Sequence, residues 1–596
     1  MMFSNLNGLA ESHRSDFGLS LAASQAERRR GWKTQTWRSR TVVILVSLLC
    51  FAWIVLGLIG HDPWKPDEAY SFGLVLSILE GRDWVVPMLA HEPFMEKPPI
   101  YYLTAALTAK AFGAVLPVHD GARLATGLYM ALTFIIVGLT SRELFGRNAA
   151  WMAPLVLVGN VGLLLWGHLL VTDVAQLAGF ALGFYGLALG MRRPYLGGAW
   201  LGTGVGLAFM SKGLLAVGCF SILAALLPVL SDRWRSRDYA RCLFAAVLAG
   251  LPWLVIWPAM LYSRSPELFM VWFWDNNFGR FLGRNVLGPK GEPFYVLVTI
   301  AWSALPAWPL ALSTVCRERR KIAARPELLL LLAEFAVIFG VLSLSRQGRD
   351  VYVLPLLLTL SLLAVPRLLS LGRGMNRALS TVAIAVPLVL GLAVWITWAA
   401  LDLSVSTALH ERLIRFQPSY TPTLGFAELT GAAALTLGWL WVVLRFPGTR
   451  ARPIVMWVAG LTMVWGITSV FFIRYLDAGH SYRQMISELR AQLPLDYRCM
   501  ASHNLGEPQR AMLDYFAGIW TYRDDQAPSS AYACDILLVQ GSTTQIYQPD
   551  GQWERIWEGS RPGDRKELYR LYRLHHSVPI VHPPTREASR SNETLL

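Results

Sequence analysis

Residues 41–113 read TVVILVSLLCFAWIVLGLIG-HDPWKPDEAYSFGLVLSILEGRDWVVPMLAHEPFMEKPPIYYLTAALTAKAFG. The part from Thr41 to Gly60 carries no charge and is long enough to cross a bilayer, which takes roughly 20 apolar residues. The stretch beyond Gly60 is not an ordinary connection. It runs for roughly fifty residues where most connections need only a few. It opens with Pro66-Asp67-Glu68, passes through a short helical pattern, and reaches Glu96-Lys97-Pro98-Pro99 before a second amphipathic helix. Long connections that carry ionisable groups are where function tends to sit.

Outward from this stretch the chain keeps returning to apolar runs. Of its 596 residues 54% are hydrophobic and only 16% charged, with mean hydropathy +0.39 and 24 tryptophans. A soluble protein of this length would carry more charge and shorter apolar runs. The pattern predicts a polytopic α-helical membrane protein with about thirteen spans on the length criterion, near 41–60, 120–140, 149–167, 173–190, 195–211, 213–230, 240–261, 294–315, 328–344, 351–370, 379–401, 425–444 and 454–473.

Arginine and lysine orient these spans. They gather before the first span (Arg28 to Arg40) and in every second connection after it, as in Arg192-Arg193, Arg233 to Arg241, and Arg317 to Arg325. Cytoplasmic loops hold such excesses, so the N-terminus is expected in the cytoplasm and everything after Arg474 outside. These loops account for the net charge of +14 without nucleic-acid binding. The expected organisation is a disordered basic tail at 1–40, a membrane domain at 41–474 with its first outer loop at 61–118, a small α/β domain at 475–580, and a disordered tail at 581–596. The first span comes after a long charged segment and has no small-residue cleavage site, so it reads as an uncleaved anchor. In the outward domain, Ser481–Leu493 and Arg510–Phe516 have helical spacing, while Cys534–Val539 and Leu568–Leu574 read as strands. Cys499 and Cys534 form either a disulfide or two small buried core positions.

The topology places Asp67, Glu68, Glu96, Lys97, Asp173, Lys212, Arg280, Arg346, Arg349 and Tyr352 on the outer side. Short outer connections normally avoid cations. A cluster of them there suits a lipid phosphate, and acids in the same layer can act as bases or hold a hydroxyl. Each residue has a plainer reading. Asp67 and Asp173 stand where helices begin and could be caps, Lys97 could be a snorkelling anchor, and Tyr352 could belong to an aromatic belt. Glu334 is the clear acid within a span, where it would serve ion coupling or a structural bond. Convergence on one face favours the site.

The residues from PDEAYSFG to EKPPIYYL also resemble the first outer loop of bacterial aminoarabinose lipid A transferases. Those are GT-C-type, polyprenyl-phosphate-sugar-dependent glycosyltransferases related to protein O-mannosyltransferases. The resemblance continues through TDVAQLA, GLAFMSKGLLA, NNFGRF, SLSRQGRDVYVLPLLL, LDYFAGI and ELYRLYRL, covering most of the chain. It implies a GT-C fold of about thirteen spans, with two juxtamembrane helices in the first outer loop and a periplasmic α/β domain. It further implies that Asp67 and Asp173 serve catalysis, with Glu68 beside Asp67 as a candidate helper, and that Lys97, Arg280 and Tyr352 hold the carrier phosphate. Lys212, Arg346 and Arg349 are added cations for that phosphate, and Glu96 is the candidate ligand for a divalent metal, no cofactor being strictly required. Three positions depart from the pattern: Tyr70 replaces an arginine, Asn277 replaces a histidine, and the last outer motif carries Gly348 and Asp350.

The expected activity is inverting transfer of a sugar, 4-amino-4-deoxy-L-arabinose or another pentose or hexose, from a polyprenyl phosphate. The expected acceptor is lipid A or another envelope molecule. A transporter or flippase, a protein O-mannosyltransferase-like enzyme, and a non-catalytic scaffold are the competing readings.

Overall fold

The computed structural model describes residues 36–284, 292, 294–422, 425–524, 534–542, 547, 549, 552–564 and 566–574. The tails expected at 1–40 and 581–596 lie outside the described residues, except that the first helix, Thr36–Val55, already begins inside the former. The chain is a multi-pass membrane protein. Among the described residues eight helices are long and apolar enough to cross a bilayer, from Val118–Phe145 to Arg452–His480, or nine if one bent pair counts as a single span.

Helices stand at the other expected positions as well, but they are shorter, less apolar or broken. Thr36–Val55, Pro194–Lys212 and Leu215–Leu230 are continuous. The span expected at 149–167 is two short helices, Met152–Val158 and Val161–Trp166. The one expected at 294–315 is Tyr295–Ser303 followed by Ala307–Glu318, bent by 102°. Pro306 has no amide hydrogen to donate to the preceding turn, and the two breaks satisfy each other. The Val161 amide donates to the Leu305 carbonyl (3.1 Å), and the Ala307 amide donates to Asn160 Oδ1 (3.4 Å). Asn160 Nδ2 also donates to Ser361 Oγ (3.1 Å), and Trp457 Nε1 to the Gly159 carbonyl (2.8 Å). Broken helices survive at membrane depth only with freed backbone groups paired in this way.

Small residues let helices approach closely. Asp173–Gly190 packs on Pro194–Lys212, which packs in turn on Arg237–Arg264. A Cβ on Gly204 would come within 2.4 Å of the Gly183 amide nitrogen, and one on Gly202 within 2.1 Å of the Ala246 carbonyl oxygen. Close backbone contact of this kind supplies the dispersion that holds membrane helices together. Gly202→Leu should therefore lose at least about 3 kcal/mol, the upper end of overpacking penalties. The measurement is thermal unfolding in detergent, with Gly438→Leu as the near-neutral comparison because open space surrounds Gly438.

The long loop after the first helix holds helices Asp67–Leu79 and Ile100–Phe112, joined through the two-residue strands β1 (Met88–Leu89) and β2 (Glu92–Pro93). Beyond His480 the chain forms helices Arg483–Ala491 and Glu507–Ala517 and strands β3 (Met500–His503), β4 (Thr521–Arg523), β5 (Ile536–Gly541), β6 (Trp553–Gly559) and β7 (Leu568–Leu574). The sheet order is β4-β3-β5-β7-β6, with β3 parallel to both neighbours and the other pairs antiparallel. A disulfide joins Cys499 to Cys534, just before β3 and β5.

This layer is fastened over the loop. A Cβ on Gly73 would meet Ala511 Cβ at 2.6 Å, so helices Asp67–Leu79 and Glu507–Ala517 cross with little between them. Arg483 Nε donates to Asp62 (2.8 Å), Lys65 bonds Asp564 and Glu567 (3.0 and 2.9 Å), and Arg510 lies 2.7 Å from Glu92. The loop is thus held between the membrane helices and the sheet layer.

Candidate active site

Pro66 stands at the cap of Asp67–Leu79, and Asp67 is its first residue. The Asp67 carboxylate takes no capping role. It receives both terminal nitrogens of Arg349, one at 3.0 Å, and the Tyr70 hydroxyl at 3.1 Å. Tyr70 comes three residues later, one turn along the same helical face. Lys97 Nζ donates to that hydroxyl at 2.6 Å and lies 3.9 Å from Glu96, whose Oε1 is 2.7 Å from Arg280. Asp173, first residue of its helix, pairs with Lys212, last residue of Pro194–Lys212, and the Lys212 ammonium lies 4.1 Å from the centre of the Tyr352 ring. Arg280 comes directly after a π-helical segment, Val271–Gly279, in what the sequence suggested was loop. Wide turns of this kind are frequent at functional sites.

Lys97, Glu96, Lys212, Arg280 and Tyr352 line one cavity of about 540 Å³. The rest of its lining is mainly apolar, with Leu215, Ile222, Phe278, Phe281, Leu342 and Leu344, and also includes Asn276, Asn277, Ser345 and Gln347. Within the joined cluster, the cations Lys97, Lys212, Arg280 and Arg349 face the carboxylates Asp67, Glu96 and Asp173, leaving one net positive charge.

Burial pushes the Asp67 carboxyl up, but the Arg349 hydrogen bond and charge, then Lys97 and the Tyr70 hydroxyl, outweigh it and hold Asp67 below the usual range. Glu96 is likewise lowered, with burial overcome by Lys97 and Arg280. Burial works against the Lys97 ammonium, yet Glu96 and further acids hold its pKa above the ordinary lysine value. Burial pushes the Tyr70 phenol well up, and Glu96 and Asp67 add to this, so it stays protonated and can donate.

Two expected members stand elsewhere. Glu68 is about 100° around the helix from Asp67 and points into a different network. It accepts from Arg123 Nε (2.9 Å), the Leu170 amide (2.9 Å) and the Trp64 amide (3.1 Å), and its side chain is 1% exposed. It holds the fold and does not face the cavity. Arg346 is exposed, its aliphatic stem lying along Gly283, and it is not among the cavity-lining residues. Glu334 is buried within Pro326–Leu344, apart from the cluster, with no hydrogen-bond partner on either oxygen among the described residues.

The donor set does not fit a metal. Glu96 compensates Arg280 and Lys97, and Asn277 is engaged with the Leu214 amide (3.0 Å) and the Trp272 carbonyl (2.7 Å). No group of three or more His, Cys, Asp or Glu able to hold a metal occurs among the described residues.

Tyr70 stood out in the sequence only as a departure, though its spacing from Asp67 pointed to a contact. Arg123 gave a signal that the sequence reading missed, since an arginine inside an expected span is itself unusual.

The fold has a solved counterpart. The crystal structure of ArnT from Cupriavidus metallidurans bound to undecaprenyl phosphate superposes with a TM-score of 0.65 at 15% identity, covering 89% of this chain and 98% of that one. The chain has the fold of that protein. Residues 96–257 match the family model described as dolichyl-phosphate-mannose-protein mannosyltransferase. An undecaprenyl phosphate-alpha-4-amino-4-deoxy-L-arabinose arabinosyl transferase from Pseudomonas aeruginosa is 31% identical over 345 residues, 56% of this chain. The chain spans 59% of that relative's length. A second transferase of that description, from Pseudomonas fluorescens, is 25% identical over 457 residues, 75% of this chain and 72% of its own.

Proposed function

We propose that this chain is an inverting glycosyltransferase that moves a sugar from a polyprenyl phosphate to lipid A or another envelope acceptor on the periplasmic face of the inner membrane. The relatives' descriptions make 4-amino-4-deoxy-L-arabinose the first sugar to test. One observation carries the proposal: a single cavity that joins the cations Lys97, Lys212 and Arg280 to a mainly apolar lining matches an amphiphile with an anionic head and a hydrocarbon tail. In this reading the broken and shorter helices also count as spans, making thirteen, with 41–474 as the catalytic domain, 475–580 as a periplasmic domain, and the N-terminus cytoplasmic; the eight or nine long apolar helices support it.

In this mechanism Lys97, Arg280 and Lys212 hold the carrier phosphate and stabilise the charge it gains on leaving. Arg349, half-exposed beside Asp67, draws an anionic acceptor in, while Asp67 and Asp173 orient it. The acceptor oxygen forms a bond to the anomeric carbon as the bond from that carbon to the carrier phosphate oxygen breaks. A lipid A phosphate arrives already ionised, so Asp67, kept anionic by Arg349, positions more than it deprotonates. A flippase has less support, because the joined charges sit at one end of the helices and Glu334 stands apart from them.

Lys97→Ala tests the proposal. A charge-assisted hydrogen bond contributes about 1.5–3 kcal/mol, so binding of undecaprenyl phosphate should weaken roughly 10- to 150-fold, and carrier release from the aminoarabinose-loaded donor should fall at least as far. Unchanged binding and turnover would sink the assignment. Because the matched family model describes protein mannosyltransferases, a protein hydroxyl is the second acceptor to offer.

A further inference from the structure

Lys97 does not bond Asp67. Between them stands the Tyr70 hydroxyl, which accepts from Lys97 Nζ at 2.6 Å and donates to Asp67 Oδ1 at 3.1 Å. Its ring is buried and stacks on Phe94 with centroids 5.7 Å apart. The backbone of Asp67–Leu79 fixes Tyr70 from one side, and Phe94, three residues before Lys97, fixes it from the other. Because the ammonium can only donate, the phenolic proton is turned toward the carboxylate. The direction of the whole chain, Lys97 to Tyr70 to Asp67, is therefore set by the identity of its first member.

Two ion pairs meet at this hydroxyl. Arg349–Asp67 lies on one side and Arg280–Glu96, with Lys97 beside it, on the other. The lining of the cavity includes Lys97 and Arg280 but neither Asp67 nor Arg349. The hydroxyl thus joins the part of the cluster that lines the cavity to a part outside that lining.

We infer that Tyr70 is a positioning residue that holds the acceptor-side carboxylate Asp67 and the donor-side cation Lys97 in a fixed relation, coupling the two substrates' sites. The inference rests on the proposed transfer reaction. Tyr70 touches neither substrate. It sets where Lys97 places its remaining two N–H groups and which Asp67 lone pairs stay free for the acceptor.

Tyr70→Phe removes the hydroxyl and keeps the ring stack. It should lower kcat about 10- to 100-fold while the acceptor KM changes less than threefold. It should also move the acid limb of the pH–rate profile upward, because Asp67 loses one of the groups that favour its charged form. Tyr102 supplies the matched comparison. It is buried too, but its hydroxyl has no hydrogen-bond partner among the described residues, so Tyr102→Phe should leave kcat and the acid limb within twofold and a few tenths of a pH unit.

A second measurement needs no turnover. In thermal unfolding of the full-length protein in detergent, the Tm losses of Tyr70→Phe and Asp67→Asn should be non-additive, and so should those of Tyr70→Phe and Lys97→Ala. Additive losses, an unmoved acid limb, or an equal kcat loss in Tyr102→Phe would overturn the inference. If the wild-type protein turned over no polyprenyl phosphate sugar, the proposed reaction would fall, and the unfolding cycle would still decide whether Tyr70 couples its two partners.

Discussion

Asp67→Asn is expected to lower sugar transfer by about 100- to 10,000-fold, the range for losing a positioned acid or base group, without unfolding the protein. The substitution keeps shape and removes charge. Arg349 then faces a neutral amide in place of a carboxylate that it grips with two nitrogens, and Tyr70 loses a charged acceptor. The acceptor would meet an uncompensated guanidinium, so it should still bind and could bind more tightly, while its reacting oxygen is no longer held in line. Steady-state kinetics with undecaprenyl phosphate-linked aminoarabinose should therefore show the loss in kcat and little rise in KM. The pH profile supplies a second readout. Asp67 is held below the usual carboxylate range, so the wild-type enzyme should lose activity through this group only below the ordinary aspartate value of about 3.9. Arg349→Ala, which removes the principal stabiliser of the charge, should move that limb upward. Wild-type rates in Asp67→Asn would contradict the role given to this residue.

Arg123→Ala is expected to have the largest effect on stability, about 3–5 kcal/mol, because removing one partner from a buried ion network leaves the others uncompensated. The Arg123 side chain is 1% exposed. It donates to Glu68 (2.9 Å), to Asp120 (2.7 Å), and to the carbonyls of His61 (2.8 Å) and Asp62 (2.7 Å). These groups lie where the long loop leaves the membrane helices, and Asp62 is bound in turn by Arg483 and Ser481. Loss of Arg123 should loosen the loop and the sheet layer together. Thermal unfolding in detergent measures this, with Arg123→Lys recovering part of the loss because it keeps the charge without the fork. The pH dependence has a defined sign. Burial pushes Glu68 up, but Arg123 and then His61 outweigh it, so its folded pKa is depressed. The stability this gives is present above the ordinary glutamate value of about 4.3 and is lost as pH falls through the folded pKa. The gap between wild type and Arg123→Ala should therefore be widest near neutrality and narrow in acid. A constant gap would show that Arg123 contributes by packing alone.

Much of this molecule was legible residue by residue. Apolar runs located a helix near every expected span, because hydrophobic length is a local property of the chain. It failed at 149–167 and 294–315, where the runs are long enough but the helices break at Gly159-Asn160 and at Pro306. Proline explains one break locally. The other depends on Leu305, Ser361 and Trp457, which lie far away in sequence. Strands and helices beyond His480 were close to their expected places, since amphipathic spacing reports them. The Cys499–Cys534 pairing needed the structure, because spacing does not show distance.

By itself the sequence determined a multi-pass helical chain whose long first loop bears acids and a lysine, along with the later residues that could join them. Hydropathy and charge are carried by each residue wherever it ends up, so they can be read without a fold. Only the tertiary structure decided the partners. It turned Glu68 away toward Arg123, left Arg346 outside, paired Asp67 with Arg349 from 282 positions along the chain, and set Tyr70 between Asp67 and Lys97. Direction around a helix and distance across a cavity belong to the packed chain, and at this site they separate a residue that can meet a substrate from one that holds the fold.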